Sequence, residues 1–377
     1  MSKVKSISLR NYKAFGDARV TIEIKPVTLF IGKNSSGKSS LLKLISIMSD
    51  LTSGYLDGPM ILDNEYISLG ARYEDVFHNN QTSGLSLGIE YENGMKVDVS
   101  YYVDKGDLFI YKYTINDSEI RGDGKRSDAF KGFLHDDTMR KLGLSLNDLS
   151  FRATYVGPVR VQPDRNILAF SENGSHNVGG RGQHTYSLLL KSYLSDDKQL
   201  YCKVSDWLDA NLEGQRIYFE RNSPASGTYS LYVRHNIAKV NIADVGQGLA
   251  QVLPIITQSF LNKKEDILIV EQPALHLHPA AHASVAYRLA DSALDNDCKC
   301  VIETHSENFL LAIRNMVADK TTRLKAEDVV VYFVDSEDDE AILQTITIDD
   351  EGRLSTWPEG IFSESFELLS QIMKHQE

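Results

Sequence analysis

Cysteine is scarce in this chain: Cys202, Cys298 and Cys300 are the three in 377 residues, too few for a disulfide framework. Cys298 and Cys300 stand in Asp-Cys-Lys-Cys, which lacks the spacing and partner ligands of a zinc site, so buried or incidental thiols are expected. Long apolar runs are missing too, and none nears the ~20 residues of a bilayer-spanning helix. The opening Met-Ser-Lys-Val-Lys-Ser-Ile-Ser-Leu-Arg is charged and polar where a signal peptide carries an apolar block. A cytoplasmic protein with no membrane part is the expectation. There is no sustained heptad register, hence no long coiled-coil arm, and no internal repeat or low-complexity segment. Positive charge is not in surplus either. A formal net charge of −12 speaks against a surface that wraps DNA as a whole, and leaves room only for a local basic groove or one completed by a partner.

What is present is an ordinary globular composition, 42% hydrophobic and 24% charged, long enough for one large or two modest domains. Val4, Ile7 and Leu9, then Val20, Ile22 and Ile24, alternate around the turn Gly16-Asp17 and predict a hairpin. Val27-Thr28-Leu29-Phe30-Ile31 has no polar alternation, as expected of a strand buried on both faces. Residues from about Leu85 to Ile120 read as antiparallel strands turning at Glu92-Asn93-Gly94. The charged stretch from Arg121 to Asp148 reads as helical or irregular. A second glycine-rich loop, Asn173-Gly174 through Gly179-Gly180-Arg181-Gly182, leads into a helical region. After Asn236 the pattern returns to alternating strands and helices, with Ile267-Leu268-Ile269-Val270 and Cys300-Val301-Ile302 as buried parallel strands. Each ends in polar residues, the place where α/β folds bind ligands.

Gly32-Lys33-Asn34-Ser35-Ser36-Gly37-Lys38-Ser39 fits G-x-x-x-x-G-K-[ST] without a gap, between a predicted strand and a helix that begins near Ser39-Ser40. Glycines let backbone N–H groups turn inward around phosphates, and the helix N-terminus adds positive potential. Lys38 is expected to reach the β- and γ-phosphates, and the Ser39 hydroxyl to ligate Mg²⁺. Gly32, Asn34, Gly37, Lys38, Ser39 and Ser40 are the expected nucleotide contacts of this loop.

Three further stretches, with the opening Leu9-Arg10-Asn11-Tyr12-Lys13-Ala14-Phe15, carry a resemblance to ABC-type ATPases. Asp244-Val245-Gly246-Gln247-Gly248-Leu249-Ala250-Gln251 resembles their signature loop. Ile267-Leu268-Ile269-Val270-Glu271-Gln272-Pro273, with Leu277-His278-Pro279, resembles the Walker B strand and D-loop. Val301-Ile302-Glu303-Thr304-His305-Ser306 resembles the switch-histidine strand. The set looks like the ABC/SMC-like branch, with RecF-, Rad50- and OLD-type members, in its bacterial AAA family ATPase form. Gly352-Arg353-Leu354 through Trp357-Pro358-Glu359-Gly360 is similar to an uncharacterised C-terminal domain on some bacterial members. The likeness covers both ends well and the middle, about Leu85 to Glu220, loosely.

The resemblance implies roles. Glu271 takes the Walker B position and would hold Mg²⁺. Gln272 stands where the catalytic glutamate is expected; it can orient water but cannot accept its proton, help worth about 10²–10⁴ in rate. The acid that often follows the proline in this subgroup is Ala274 here, which leaves Glu303 as a replacement base or as support for the His305 region. His305 would sense the γ-phosphate. Gly246, Gln247 and Gly248 would meet the γ-phosphate on the other subunit. Arg160, in Tyr155-Val156-Gly157-Pro158-Val159-Arg160, either neutralises phosphate, with Arg152 and Arg165 as a small basic patch, or is a surface arginine. His276 and His278 fit a D-loop turn better than a metal site, Gln81 is a weak candidate for the conserved-glutamine loop, and the acidic run 335–340 reads as a solvated turn.

The expected fold is α/β: an ABC-type P-loop nucleotide-binding domain, its mixed or parallel sheet flanked by helices, with an antiparallel β subdomain and an inserted helical region. Residues 1–120 are expected to hold the first half of the core, 121–235 a largely helical insertion, 236–325 the second half, and 326–377 a small α/β tail. One phosphate loop and one signature-like loop per chain make a head-to-tail homodimer, or a higher even oligomer, the economical assembly around ATP and Mg²⁺. The expected function is an ATP-hydrolysing switch controlling a separate effector protein, in the anti-phage setting that the resemblance suggests. A RecF-like clamp on nucleic acid in DNA repair and a scaffold that binds ATP with little hydrolysis are the alternatives.

Overall fold

The computed structural model describes residues 3–56, 58–122, 130–131, 134–169, 175–223, 227–235, 238–357 and 371. Asn173, Gly174, Asn236 and the tail residues 358–360 named above lie outside the described residues.

Six strands form a central sheet in the order β11 (Ala153–Val156), β16 (Ile267–Glu271), β17 (Lys299–Glu303), β3 (Val27–Gly32), β18 (Val329–Glu337) and β19 (Glu340–Ile346). The first five run parallel and β19 returns antiparallel. Parallel neighbours need crossovers, which include α1 (Lys38–Ser53), α6 (Gln247–Leu261), α7 (Pro279–Asn296) and α8 (Glu307–Ala318). The unbroken apolar runs have a direct cause: the sheet separates two cores, and each strand feeds both. Phe30 of β3 packs on one side while Val27, Leu29 and Ile31 pack on the other. Ile269 and Val301 share the first core, and Leu268 and Ile302 the second. The residue types also set the helix starts. Pro279 occupies the first turn of α7, and the Ser306 hydroxyl accepts from the Phe309 N–H at the start of α8.

A six-stranded antiparallel sheet closes the first core, in the order β2 (Val20–Glu23), β1 (Val4–Arg10), β5 (Ser83–Tyr91), β6 (Lys96–Asp104), β7 (Asp107–Ile115) and β8 (Ser118–Arg121). The predicted hairpin of β1 and β2 and the turn at Asn93-Gly94 are both present. Beside it lie the small sheet of β4 (Tyr55–Leu56), β9 (Phe130–Lys131) and β10 (Leu134–His135), and helices α2 (Asp136–Leu142) and α3 (Leu146–Leu149).

Helices α4 (Thr185–Leu194) and α5 (Gln199–Asn211) pack on a further sheet of β12 (Ile167–Leu168), β14 (Thr228–His235) and β13 (Arg216–Arg221), with β15 (Ala238–Asn241) paired to β14. The span 121–235 thus holds helices α2 to α5 together with strands β9 to β14, β11 among them in the central sheet. Val329 to Val334, expected within a tail, form a ladder with β3 in the middle of that sheet. Among the described residues no helix is long and apolar enough to cross a membrane.

Candidate functional site

The C-terminal ends of β3, β16 and β17 meet at one edge of the central sheet, where three sequence-distant segments converge. The loop after β3 turns through Ser35 (φ 62°) and Gly37 (φ 104°) into α1, a helix of 16 residues whose N-terminus faces the hollow. Lys38 is buried there, and its Nζ donates to the carbonyls of Gly32 (3.0 Å) and Lys33. Burial lowers its pKa, against the pull of Glu303 and Glu271. A phosphate oxygen in that hollow would take over the carbonyls' role as acceptors.

Glu271 and Glu303 are register partners at the ends of β16 and β17, and both are buried. Oε2 of Glu303 accepts from the Ser39 hydroxyl at 3.0 Å, and Oε1 of Glu271 accepts from the Tyr155 hydroxyl at 2.7 Å. Burial, then the neighbouring Glu271, push the Glu303 carboxyl up to about 7. The Glu271 carboxyl and the Ser39 hydroxyl are hard oxygen donors, of the kind Mg²⁺ takes when phosphate oxygens complete its shell. Among the described residues no group of three or more His, Cys, Asp and Glu side chains is placed to hold a metal ion alone. The donor set therefore fits a cation that arrives with its phosphates.

A cavity of about 560 Å³ is lined by Asn34, Gly37, Lys38, Ser39, Ser40, Glu271, Gln272, Glu303 and His305, with Gly32 directly behind it. Nine residues expected at a nucleotide site thus share one hollow. Gln272 sits in a left-handed turn (φ 50°), its N–H bonded to the Glu303 carbonyl at 2.9 Å. His305 lies 4.0 Å from Glu303, and burial together with Lys38 lowers its pKa. The imidazole is therefore favoured in its neutral form.

Gly246 and Gly248 line a different cavity of about 320 Å³ beside His276, Leu277 and His278, and Gln247 opens α6. Within one chain the signature-like loop and the phosphate loop face separate hollows. His278 caps α7 by accepting from the Ala280 N–H at 3.3 Å. A larger hollow of about 760 Å³ lies on the outer face of the antiparallel sheet; its Arg19 and Asp98 are paired, and none of the chemistry above reaches it.

The three arginines read as a basic patch do not form one. Arg160 is buried against backbone carbonyls, while Arg152 pairs with Asp266 and Arg165 with Asp244. Gln81 is exposed and stays out of the phosphate cavity, whereas Asn79 and Asn80 line it. These asparagines and Tyr155 escaped sequence reasoning. Asn79 and Asn80 are placed by a 3-10 turn held through His78 to the Lys13 carbonyl, and that long-range contact leaves no local pattern.

A family model described as "AAA domain, putative AbiEii toxin, Type IV TA system" matches residues 27–312. A second, described as "Protein of unknown function (DUF3696)", matches residues 324–372. The OLD nuclease of Thermus scotoductus is 21% identical over 362 residues, covering 90% of this chain but 66% of that protein. The chain thus spans just under two thirds of this relative's length. A crystal structure of the Smc head bound to the C-winged helix domain of ScpA superposes with a TM-score of 0.53 at 13% identity, over 92% of this chain and 98% of that one. An Smc head with an extended coiled coil, bound to the C-terminal domain of ScpA from Pyrococcus furiosus, gives 0.51 at 11%, over 99% and 100%. At those identities the structural likeness shows the fold alone.

Proposed function

This chain belongs to the AAA domain family described as putative AbiEii toxin, Type IV TA system, and on that footing we propose that it is an ATP-binding, ATP-hydrolysing molecular switch. In this reading two copies close around ATP and Mg²⁺, hydrolysis or release opens them, and a separate effector protein reads the state, with anti-phage defence as the setting. One feature favours a composite site. The signature-like glycines and the phosphate loop face different cavities of one chain, and a second copy placed head to tail would bring them together.

Lys38 and the N-terminus of α1 bind the triphosphate, and Ser39 and Glu271 hold Mg²⁺, which neutralises phosphate charge when bound. Gln272 orients water. Glu303 is the base, lining the same cavity as Gln272 and His305. His305, kept neutral, offers an N–H to the phosphates. The observation that carries this reading is the convergence of nine expected site residues on one 560 Å³ hollow.

A second reading, a nucleotide-binding scaffold with little hydrolysis, is favoured by Gln272 and Ala274, which replace the acids expected there. A nucleic-acid clamp has less support, since Arg152 and Arg165 are already neutralised by aspartates. Mg²⁺-dependent ATP turnover and oligomeric mass, measured together on wild type, Gln272→Glu and Glu303→Gln, separate the readings. The switch predicts an ATP-linked dimer and a loss of about 10²–10⁴ in turnover for Glu303→Gln. ATP binding with negligible wild-type turnover, and a gain in Gln272→Glu, establishes the scaffold instead.

A further inference from the structure

We infer that Arg160 is a positioning residue that ties helix α6 to the turn carrying Gln272, so that the pose of Gln272 depends on α6. The inference rests on the hydrolysing switch proposed above. Arg160 follows β11, which lies beside the Glu271 strand. Its side chain runs beneath the end of that strand: Nη2 donates to the Glu271 carbonyl at 2.5 Å and to the Gln272 carbonyl at 3.4 Å, which Nη1 also approaches at 3.5 Å. The backbone of Arg160 is held in turn by one buried side chain. Oε1 of Gln251 accepts from the Arg160 N–H at 3.3 Å, and Nε2 of Gln251 donates to the Arg160 carbonyl at 3.2 Å. Gln251 belongs to α6, about one turn inside the helix that Gly246-Gln247-Gly248 begins.

The arrangement is costly as packing. Arg160 is 3% exposed, among the described residues no carboxylate forms an ion pair with it, and its Nε has no hydrogen-bond partner. Burial pushes its pKa down to about 10. An apolar side chain of similar length would fill the space without burying a charge. What the guanidinium adds is a pair of donors on two successive carbonyls, at a point where Gln272 adopts a left-handed backbone that non-glycine residues take at some steric cost. That turn aims Gln272 into the phosphate cavity, which Pro158 lines and Arg160 does not. Arg160 therefore acts through Gln272 and not on the ligand.

The test is ATP binding by calorimetry and steady-state ATP turnover, with melting temperature, for the 377-residue wild type, Arg160→Met, Arg160→Lys, Gln251→Leu and the double Arg160→Met/Gln251→Leu. Arg160→Met and Gln251→Leu are each expected to lower kcat about 10-fold or more with KM changed by less than about 2-fold. The double variant falls no further than the worse single one, and Arg160→Lys, with one ammonium for two carbonyls, recovers part of the loss. Losses that multiply, or that follow melting temperature and appear in KM alone, overturn the inference and leave Arg160 as core filling. If Arg160→Met does not fold, Gln251→Leu decides: unchanged kcat overturns the inference, and reduced kcat at constant KM supports it. Wild type that binds ATP without turning it over overturns it too, because no step remains to be positioned. Wild type that binds no ATP instead sinks the function proposed above, and the inference with it.

Discussion

The hydroxyl of Ser39 donates to Oε2 of Glu303 across 3.0 Å, joining residues 264 positions apart. The bond closes the phosphate loop onto the central sheet and sets the first residue after Lys38 against the carboxyl proposed as base. Glu303 is therefore held from two sides, by a hydroxyl that favours its charged form and by burial beside Glu271 that opposes it.

A pH dependence follows from that opposition. The Glu303 carboxyl rises from 4.5 to about 7 on folding, so the stability it lends is fully present below pH 4.5 and is lost as pH rises through about 7. In that window the dependence approaches ~1.4 kcal/mol per pH unit. Glutamine carries no charge at any pH, so Glu303→Gln is expected to gain on wild type as pH climbs from 5 to 7.5. Urea midpoints of both proteins in EDTA check this; parallel pH profiles would count against the buried-carboxyl account.

Gly32 has φ 146°, and a Cβ built on it would lie 2.1 Å from the Val334 carbonyl oxygen of β18. Neither backbone can give way without breaking the β3–β18 ladder. Gly32→Ala is expected to lose about 2–4 kcal/mol by denaturant titration, and a loss under about 0.5 kcal/mol would show that this close approach does not constrain the loop.

Tyr155 bonds the buried Glu271 carboxylate at 2.7 Å. Tyr155→Phe removes the donor and keeps the ring, so stability is expected to fall by about 1–3 kcal/mol. Equal urea midpoints for the two proteins would mean that Glu271 finds another partner.

Much of the site was legible in the sequence because its parts are local. The phosphate loop is eight contiguous residues between an apolar strand and a helix; Glu271 and Gln272 follow one buried apolar run, and Glu303 and His305 follow another. Their meeting in one hollow needed the register of β16 against β17, which sequence does not display. The place of Arg160 is hidden from the sequence for a related reason. Its neighbour Val159 is exposed, and nothing local distinguishes an arginine aimed at solvent from one beneath a strand. The place of β18 likewise follows from pairing with β3, some 300 residues earlier, and an apolar run alone does not name its partner.

The proposed function requires nucleotide binding at the phosphate loop, which calorimetric titration of wild type and Lys38→Ala with Mg²⁺-ATP measures. Wild type is expected to bind one ATP per chain, and Lys38→Ala, which removes a buried ammonium from the hollow, to lose about 100-fold or more in affinity. No binding by wild type, or equal binding by both proteins, would contradict the account.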